Sequence, residues 1–106
     1  MKVTLKKAFS ILDGRLSTKI EDVYEMLNYI FDANFMTHQL PSAMKALKEE
    51  NPQWFKDAVS VVDEIKAIED TDDFEQLMKA IDFGYKSFEI ELGKVDSKIE
   101  FLAGLV

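Results

Sequence analysis

The chain has 106 residues, a hydrophobic content of 47% and no cysteine. This length and content are enough for one domain with its own core. Without cysteine, disulfides, iron–sulfur clusters and cysteine zinc sites are excluded. No apolar run approaches the roughly 20 residues of a membrane helix, and residues 1–12 lack the form of a signal peptide. We therefore expect a cytoplasmic protein with no membrane association.

The formal charge of −7 at pH 7 comes from the second half of the chain. Residues 1–51 carry seven basic and seven acidic side chains, whereas residues 52–106 carry six basic and thirteen acidic ones. We expect one domain with a neutral first part and an acidic second part. An acidic surface repels phosphate, so direct nucleic-acid binding is not expected. It suits a basic protein surface, although such a charge can also serve solubility alone.

Local signals predict two helices at the start of the chain. Residues 4–13 place apolar side chains on one face, and Gly14 follows at the position of a C-terminal cap. Thr18 opens a capping-box spacing that ends at Glu21. Behind it, residues 19–31 repeat apolar side chains at helical intervals. We predict a short first helix and a longer second helix over these two ranges.

Two prolines mark the next two helices. Thr37 can cap a third helix, because Pro41 falls within its first turn, and this helix ends near Glu50. Asn51 before Pro52 is typical of a polar cap followed by proline at the first helical position. A fourth helix is therefore predicted to run to about residue 69. The acidic turn of residues 69–73 separates it from the last third of the chain.

A heptad stripe occupies the last third of the chain. Ten apolar residues recur at alternating steps of four and three: Phe74, Met78, Ile81, Tyr85, Phe88, Leu92, Val95, Ile99, Leu102 and Val106. This spacing predicts a long helix over residues 73–104 that docks on another helix or on a second copy. Such a helix spans about 48 Å, more than the roughly 35 Å diameter of a compact domain of this size. We therefore predict a homodimer through Tyr85, Phe88, Leu92, Val95, Ile99 and Leu102.

The same segment has an alternative interpretation as a β-hairpin. Residues 88–92 alternate apolar and acidic side chains, residues 93–97 can turn, and residues 99–101 can return as a second strand. Gly84 and Gly93 also cost a helix about 1 kcal/mol each. The predicted class is thus all-α, with about five helices and the long heptad helix. The alternative is an α+β domain with a hairpin at about residues 86–103.

Catalytic, cofactor and metal signatures are not found in the sequence. His38 is the sole histidine, and no nucleophile or acid is signalled beside it, so we assign it a local structural role. The acidic turn lacks the spacing of a calcium loop. Trp54 is interpreted as a core anchor, with an exposed interface anchor as the alternative. We expect no enzyme and no cofactor; a hydrolase that uses His38 is a remote alternative.

Four segments of the first half form a recognisable set: Gly14-Arg15-Leu16, residues 22–30 (Asp-Val-Tyr-Glu-Met-Leu-Asn-Tyr-Ile), residues 35–41 (Phe-Met-Thr-His-Gln-Leu-Pro) and Asn51-Pro52-Gln53. In this order and spacing they resemble a family of small uncharacterised bacteriophage and prophage proteins. The resemblance covers about residues 9–55, and its most specific part is the Thr-His-Gln-Leu-Pro box. The chain departs from the family at Ala33, Asn34 and Ser42, where members often carry glycine, aspartate and arginine. The resemblance implies a phage origin, and hence the cytoplasm of an infected bacterium.

These observations together predict a small, non-enzymatic phage protein that binds and inhibits a host protein. Host defence, such as a CRISPR effector, is the expected target class. The alternative is a homodimeric structural or regulatory adaptor of the phage cycle. An acidic protein steers its encounter with a basic partner through exposed carboxylates. Those expected to make the contact are Glu69, Asp70, Asp72, Asp73, Glu75, Asp82 and Glu89.

Overall fold

The computed structural model describes residues 1–95, which form helices joined by short loops and one small sheet. In chain order the elements are β1 (Lys2–Thr4), α1 (Leu5–Asp13), α2 (Ile20–Phe31), a 3₁₀ turn (Thr37–Gln39), α3 (Leu40–Glu50), α4 (Gln53–Glu69), α5 (Phe74–Gly84) and β2 (Glu89–Glu91). The two strands pair antiparallel, with Val3 opposite Ile90. The described part of the chain is mostly helical, which confirms the predicted all-α class.

The core is organised around α1. Its residues Ala8 and Phe9 are fully buried, and the helix contacts α2, α4, α5 and β2. Each neighbouring helix turns one apolar stripe inward, as its sequence periodicity predicts. Buried members of these stripes include Leu27, Leu47, Val62 and Ile81. The charged and polar faces of α4 and α5 consequently lie on the surface.

The first helix confirms its predicted range and the predicted cap at Gly14, and the structure adds a cap at Thr4. Thr4 caps α1, because its hydroxyl accepts a hydrogen bond from the Lys7 amide at 3.3 Å. Gly14 has a φ of 97°, and its N–H donates to the Ser10 carbonyl at 3.1 Å. Such a left-handed residue satisfies one of the last helical carbonyls. The sequence therefore predicted both the extent and the end of α1.

The second helix has nearly the predicted extent, but its predicted capping box does not form. Lys19 is the N-cap residue and makes no side-chain cap. Thr18 lies one residue earlier, and its hydroxyl donates instead to the carboxylate of Asp22. Asp22 is buried, so its carboxylate requires a hydrogen-bond partner, and the Thr18 hydroxyl supplies one.

Thr37 is not the cap of the third helix. The helix is extended backwards by the 3₁₀ turn, which begins at Thr37 itself, so the residue lies inside the turn. Its hydroxyl hydrogen-bonds the hydroxyl of Tyr24 on α2. The local amides are paired by Gln39 instead, whose side-chain oxygen accepts the Met36 N–H at 2.8 Å. The predicted cap is wrong because the turn begins earlier than the proline position suggests.

The predicted helix boundary at Asn51-Pro52 is correct, but each residue has a different role from the predicted one. Asn51 has a φ of 47°, and its N–H donates to Leu47 at the end of α3. Pro52 is then the N-cap of α4 and not its first helical residue. Its carbonyl accepts the amides of Phe55 and Lys56 at 3.0 Å. A left-handed asparagine before a proline ends one helix and begins the next.

The long heptad helix is wrong beyond Gly84, where α5 ends. Residues 89–91 form a strand that pairs with the N-terminus. Helix continuation through Gly84 and Gly93 is costly, whereas the extended backbone pairs with β1 and buries Ile90. The first strand of the alternative hairpin is thus present, with β1 as its partner. Its second strand, at residues 99–101, lies outside the described residues.

Candidate functional site

A groove between α4 and β2 combines apolar walls with an acidic rim. It encloses about 260 Å³. Its α4 wall consists of Trp54, Asp57, Ala58 and Val61, and its β2 wall of Phe88, Glu89, Ile90 and Glu91. We refer to it as the α4–β2 groove. A concave apolar surface with a few convergent polar groups is the usual form of a binding site.

The α4 wall follows from the sequence pattern of that helix. Trp54, Val61 and Ile68 recur at seven-residue steps, so they lie along one side of α4. The buried stripe at Phe55 and Val62 points into the core, and the seven-residue row lies at its edge, where side chains are partly exposed. Ile68, at the far end of the row, is 65% exposed. The helix therefore presents an apolar margin that the core does not cover.

Trp54, in the α4 wall of the groove, packs closely against Gly93. A Cβ atom at residue 93 would lie 2.9 Å from Cδ1 and 3.0 Å from Nε1 of the indole. The Trp54 ring also meets Phe55 edge-on, with 5.9 Å between ring centroids. Its buried Nε1–H has no hydrogen-bond partner among residues 1–95. Trp54 is accordingly a half-buried anchor of the groove, between the two roles expected from the sequence.

Three carboxylates form the rim. Asp57 accepts a hydrogen bond from the Gln53 side-chain amide at 2.8 Å. Glu91 accepts one from the Met1 amine at 2.8 Å, and this bond lowers the pKa of the Glu91 carboxyl. Glu89 makes no ion pair within residues 1–95. All three side chains are exposed. They give the apolar groove an anionic border.

The seven carboxylates expected to meet a partner are all exposed, but three of them serve the fold. Asp73 caps α5 by accepting the Gln76 amide at 3.0 Å. Asp82 pairs with Lys6 at 3.0 Å, and Asp72 pairs with Arg15 at 2.9 Å. The acidic turn is therefore partly ordered by an ion pair and by a helix cap. Four of the seven make neither an ion pair nor a side-chain helix cap within the described residues: Glu69, Asp70, Glu75 and Glu89.

An ion-pair network that the sequence did not reveal holds three helix ends together. Arg15 Nε donates to Asp13 Oδ2 at 2.6 Å, and its other nitrogens reach the backbone carbonyl and the carboxylate of Asp72. Lys66 Nζ lies 3.0 Å from Asp13 and 3.1 Å from Asp72. We refer to Asp13, Arg15, Lys66 and Asp72 as the clasp.

The clasp keeps its charges at neutral pH. Burial alone would raise the pKa of Asp13, but hydrogen bonds from Arg15 and Lys66 outweigh it and lower the pKa. Partial burial would lower the pKa of Lys66, and bonds to Asp13 and Asp72 raise it. The Arg15 guanidinium also lies over the rings of Phe9 and Phe74, 5.8 Å from each centroid. This geometry is that of a structural network between α1, α4 and α5.

The residues expected to form a helical dimer seam occupy different environments. Leu92 and Val95 are buried within one chain, and their amides donate to the carbonyls of Met1 and Ile30. Tyr85 is partly buried, and Phe88 is 41% exposed in the wall of the α4–β2 groove. Ile99 and Leu102 lie outside the described residues. The dimer stays a prediction, now without a continuous helix to carry it.

His38 and Thr37 lie on an exposed turn. Residues 1–95 contain no group of three or more histidine, cysteine, aspartate or glutamate side chains placed to hold a metal ion. In the same part of the chain, no helix has the length and apolar content to cross a bilayer. The assignment of His38 to local structure stays a prediction, as does the absence of catalysis.

A second apolar depression lies between α1, α2 and α3. Its walls include Leu16, Ile20, Leu40, Pro41 and Met44, and it continues into a cavity of about 440 Å³ beside Lys45 and Lys48. Leu16 and Ile20 are among its exposed residues. This depression has basic side chains at its border, in contrast to the α4–β2 groove.

The chain belongs to the family described as domain of unknown function DUF7736, which matches residues 3–61. The matched range runs from β1 into α4 and includes the α4 wall of the groove, whereas β2 lies beyond it. No curated protein and no solved structure matches the chain.

Proposed function

We propose that this protein is a non-enzymatic inhibitor that binds a basic surface of a host protein through the α4–β2 groove. The observation that carries the proposal is the combination of an exposed aromatic wall at Phe88 with the carboxylates of Asp57 and Glu89 beside it. Aromatic anchors bordered by charge are typical of protein-binding sites. An apolar groove with this border selects a partner that offers both an apolar side chain and cations.

Charge supports a basic partner. The acidic second part of the chain supplies both walls of the groove. Exposed carboxylates outside the groove, such as Glu69 at the end of α4 and Glu75 in the first turn of α5, add to the negative charge and make no ion pair within the described residues. The field of these charges accelerates the approach of a positively charged surface, and the effect falls within a Debye length of about 8 Å at physiological salt.

The biological setting of the proposal rests on the resemblance to phage proteins. A phage protein that competes with nucleic acid for a basic surface would inhibit a defence enzyme without chemistry of its own. We therefore propose a host defence protein that handles nucleic acid, such as a CRISPR effector, as the target class. The cytoplasm of the infected bacterium would be the site of action.

The second candidate is a homodimeric adaptor of the phage cycle, and one observation favours it. Phe83 lies on the outer face of α5 and is 95% exposed. A fully exposed phenylalanine is uncommon on a monomer and suits an interface with a second copy. Light scattering distinguishes the candidates, because a mass near 12.2 kDa at high concentration contradicts the adaptor.

Affinity capture with matched charge variants tests the inhibitor proposal. The groove variant carries Asp57→Lys and Glu89→Lys, and the control carries Glu25→Lys and Glu49→Lys, which change the net charge equally at exposed sites of α2 and α3. We expect wild type and control to retain a basic bacterial protein at low salt and the groove variant to lose it. Equal retention by both variants would contradict the assignment of the groove.

A further inference from the structure

Backbone hydrogen bonds define which residues of β2 pair with β1. The Leu5 amide donates to the Phe88 carbonyl at 2.8 Å, and the Leu92 amide donates to the Met1 carbonyl at 2.8 Å. Hydrogen-bonded pairs alternate along an antiparallel ladder. With Val3 opposite Ile90, the bonded pairs are residues 1 and 92, 3 and 90, and 5 and 88.

The same alternation directs the backbone groups of Glu89 and Glu91 away from β1. Residues between bonded pairs turn their N–H and C=O groups to the other side of the strand. Neither amide finds a backbone partner within residues 1–95. Within residues 1–95, one edge of β2 therefore has no backbone partner, and it presents two donors and two acceptors spaced for another strand.

The geometry points to strand addition: an extended, lysine- or arginine-bearing segment of the partner pairs with the free edge of β2. This inference rests on the proposed function and specifies how the basic partner is held. The residues whose backbone is unpaired, Glu89 and Glu91, also line the α4–β2 groove. A strand entering there gains main-chain hydrogen bonds from β2 and side-chain contacts from α4.

Side-chain alternation determines the chemistry of the added strand. Ile90 points to the buried face of the sheet, and its neighbours Glu89 and Glu91 point to the exposed face. In the added strand, the residue beside Ile90 would meet the apolar wall at Trp54 and Val61. Its two neighbours would lie beside the glutamates, where cations are favoured. The partner segment thus alternates basic and apolar residues.

The carboxylates also argue against a second copy of this chain as the occupant. Pairing of two β2 edges would bring Glu89 and Glu91 of one copy close to those of the other. Like charges across a strand pair are destabilising, and charged edge strands protect proteins from self-pairing. The edge is therefore closed to its own copy and open to a basic strand.

The test uses a blocked octapeptide of alternating lysine and valine, titrated into the isotope-labelled protein and followed by amide NMR. We expect shifts at residues 88–91 and slower hydrogen exchange at the amides of Glu89 and Glu91. The same peptide with glutamate in place of lysine should not bind. Its binding with equal affinity would overturn the role of charge.

Methylation of the peptide amides distinguishes strand addition from side-chain docking. Alternate amides of a strand face β2, so N-methylation of one alternate set should weaken binding by about tenfold or more for each lost bond, and methylation of the other set should have little effect. Equal binding of both methylated peptides would overturn strand addition and leave the proposed function in place. If the protein binds neither the lysine peptide nor a basic bacterial protein, both strand addition and the proposed function are contradicted.

A pair of variants tests the edge from the side of the protein. Glu89→Pro removes an outward N–H, and an edge strand tolerates proline at such a position. Glu89→Gln removes the charge and keeps the N–H. We expect a roughly threefold loss of peptide affinity for the glutamine variant and more than about tenfold for proline. Equal losses in the two variants would show that the backbone is not used; if proline unfolds the protein, the methylated peptides decide the question.

Discussion

Leu92→Ala tests whether residues 85–95 fold back onto the core of the same chain. Leu92 is 2% exposed, and its amide donates to the Met1 carbonyl at 2.8 Å. The substitution removes three carbon groups, which costs about 2.4 kcal/mol of transfer free energy at about 0.8 kcal/mol each. The cavity left behind raises the expected loss to about 3 kcal/mol.

Urea unfolding measures this loss directly. A domain of this size is stabilised by about 5–15 kcal/mol, so the variant should remain folded at 25 °C. Phe83→Ala is the control, because Phe83 is almost fully exposed and should change the free energy of unfolding by less than about 0.5 kcal/mol.

The dependence of this loss on protein concentration shows whether Leu92 is buried within one chain or between two copies. If Leu92 lies in the core of one chain, the loss is the same at low and high protein concentration. A loss that appears only at high protein concentration, and vanishes where the protein is dilute, would show that Leu92 lies in an interface between copies. A loss below about 0.5 kcal/mol would show that it is exposed.

Four further predictions follow from particular contacts. Gly93→Ala should lower the free energy of unfolding by about 1–3 kcal/mol in chemical denaturation, because the new Cβ meets Trp54. Gly84→Ala should not lower it, because a Cβ there meets no described atom within 4 Å; equal effects would contradict the packing of Gly93 against Trp54. In acid titrations, Asp13→Asn should abolish the stability that the lowered pKa of Asp13 provides. That contribution is present above the ordinary pKa of 3.8 and is lost as the pH falls through the lowered folded-state pKa; an unchanged acid transition would contradict the clasp. Asp73→Ala should cost about 1 kcal/mol in thermal denaturation through loss of a helix cap, and Thr37→Ala should leave helix capping unaffected; the reverse order would contradict the assigned caps. In stopped-flow binding to the partner, Glu69→Lys, Glu75→Lys and Glu89→Lys together should slow association by about an order of magnitude at low salt and much less at high salt; an unchanged rate would assign the acidity to solubility.

The steering variants leave out Asp70, Asp72 and Asp73, although these three are also exposed carboxylates of the acidic turn. In the structure Asp72 belongs to the clasp, Asp73 caps α5, and Asp70 has a φ of 51°, which a lysine adopts less readily. That triple variant would confuse loss of stability with loss of steering. The three glutamates avoid this, because they make no ion pair within residues 1–95.

The sequence predicted those parts of the fold that depend on neighbouring residues. The ends of α1 were correct because Thr4 and Gly14 act within one turn. The extent of α2 was nearly correct because its apolar residues repeat over 12 positions. Such signals are local, and the energy they report is largely independent of the rest of the chain.

The sequence failed where two distant segments had to meet. The pattern of residues 88–92 is compatible with both a helical seam and a strand. The segment forms a strand because β1, at the other end of the chain, pairs with it. The stability of a strand depends on the strand that it pairs with, and periodicity does not identify that partner. The clasp was missed for the same reason, since Asp13 and Lys66 are 53 residues apart.

The candidate site was only partly visible in the sequence. Phe88 and Glu89 were both named, one for a dimer seam and one for charge. Trp54 was named as a core or interface anchor. Their meeting in one groove required the long-range pairing of β2, and Asp57 carried no signal beyond being one carboxylate among many on α4.

Site-specific photo-crosslinking in bacteria that express the protein shows whether the α4–β2 groove contacts a basic bacterial protein. A photoreactive phenylalanine replaces Phe88 in the wall of the α4–β2 groove, and in parallel Phe83 on the outer face of α5 or Leu16 in the second depression. The account predicts an adduct from position 88 with a segment of a bacterial protein rich in lysine or arginine, and none from position 16. A heterologous adduct from position 16, or an adduct from position 83 with a second copy and none from position 88, would contradict it.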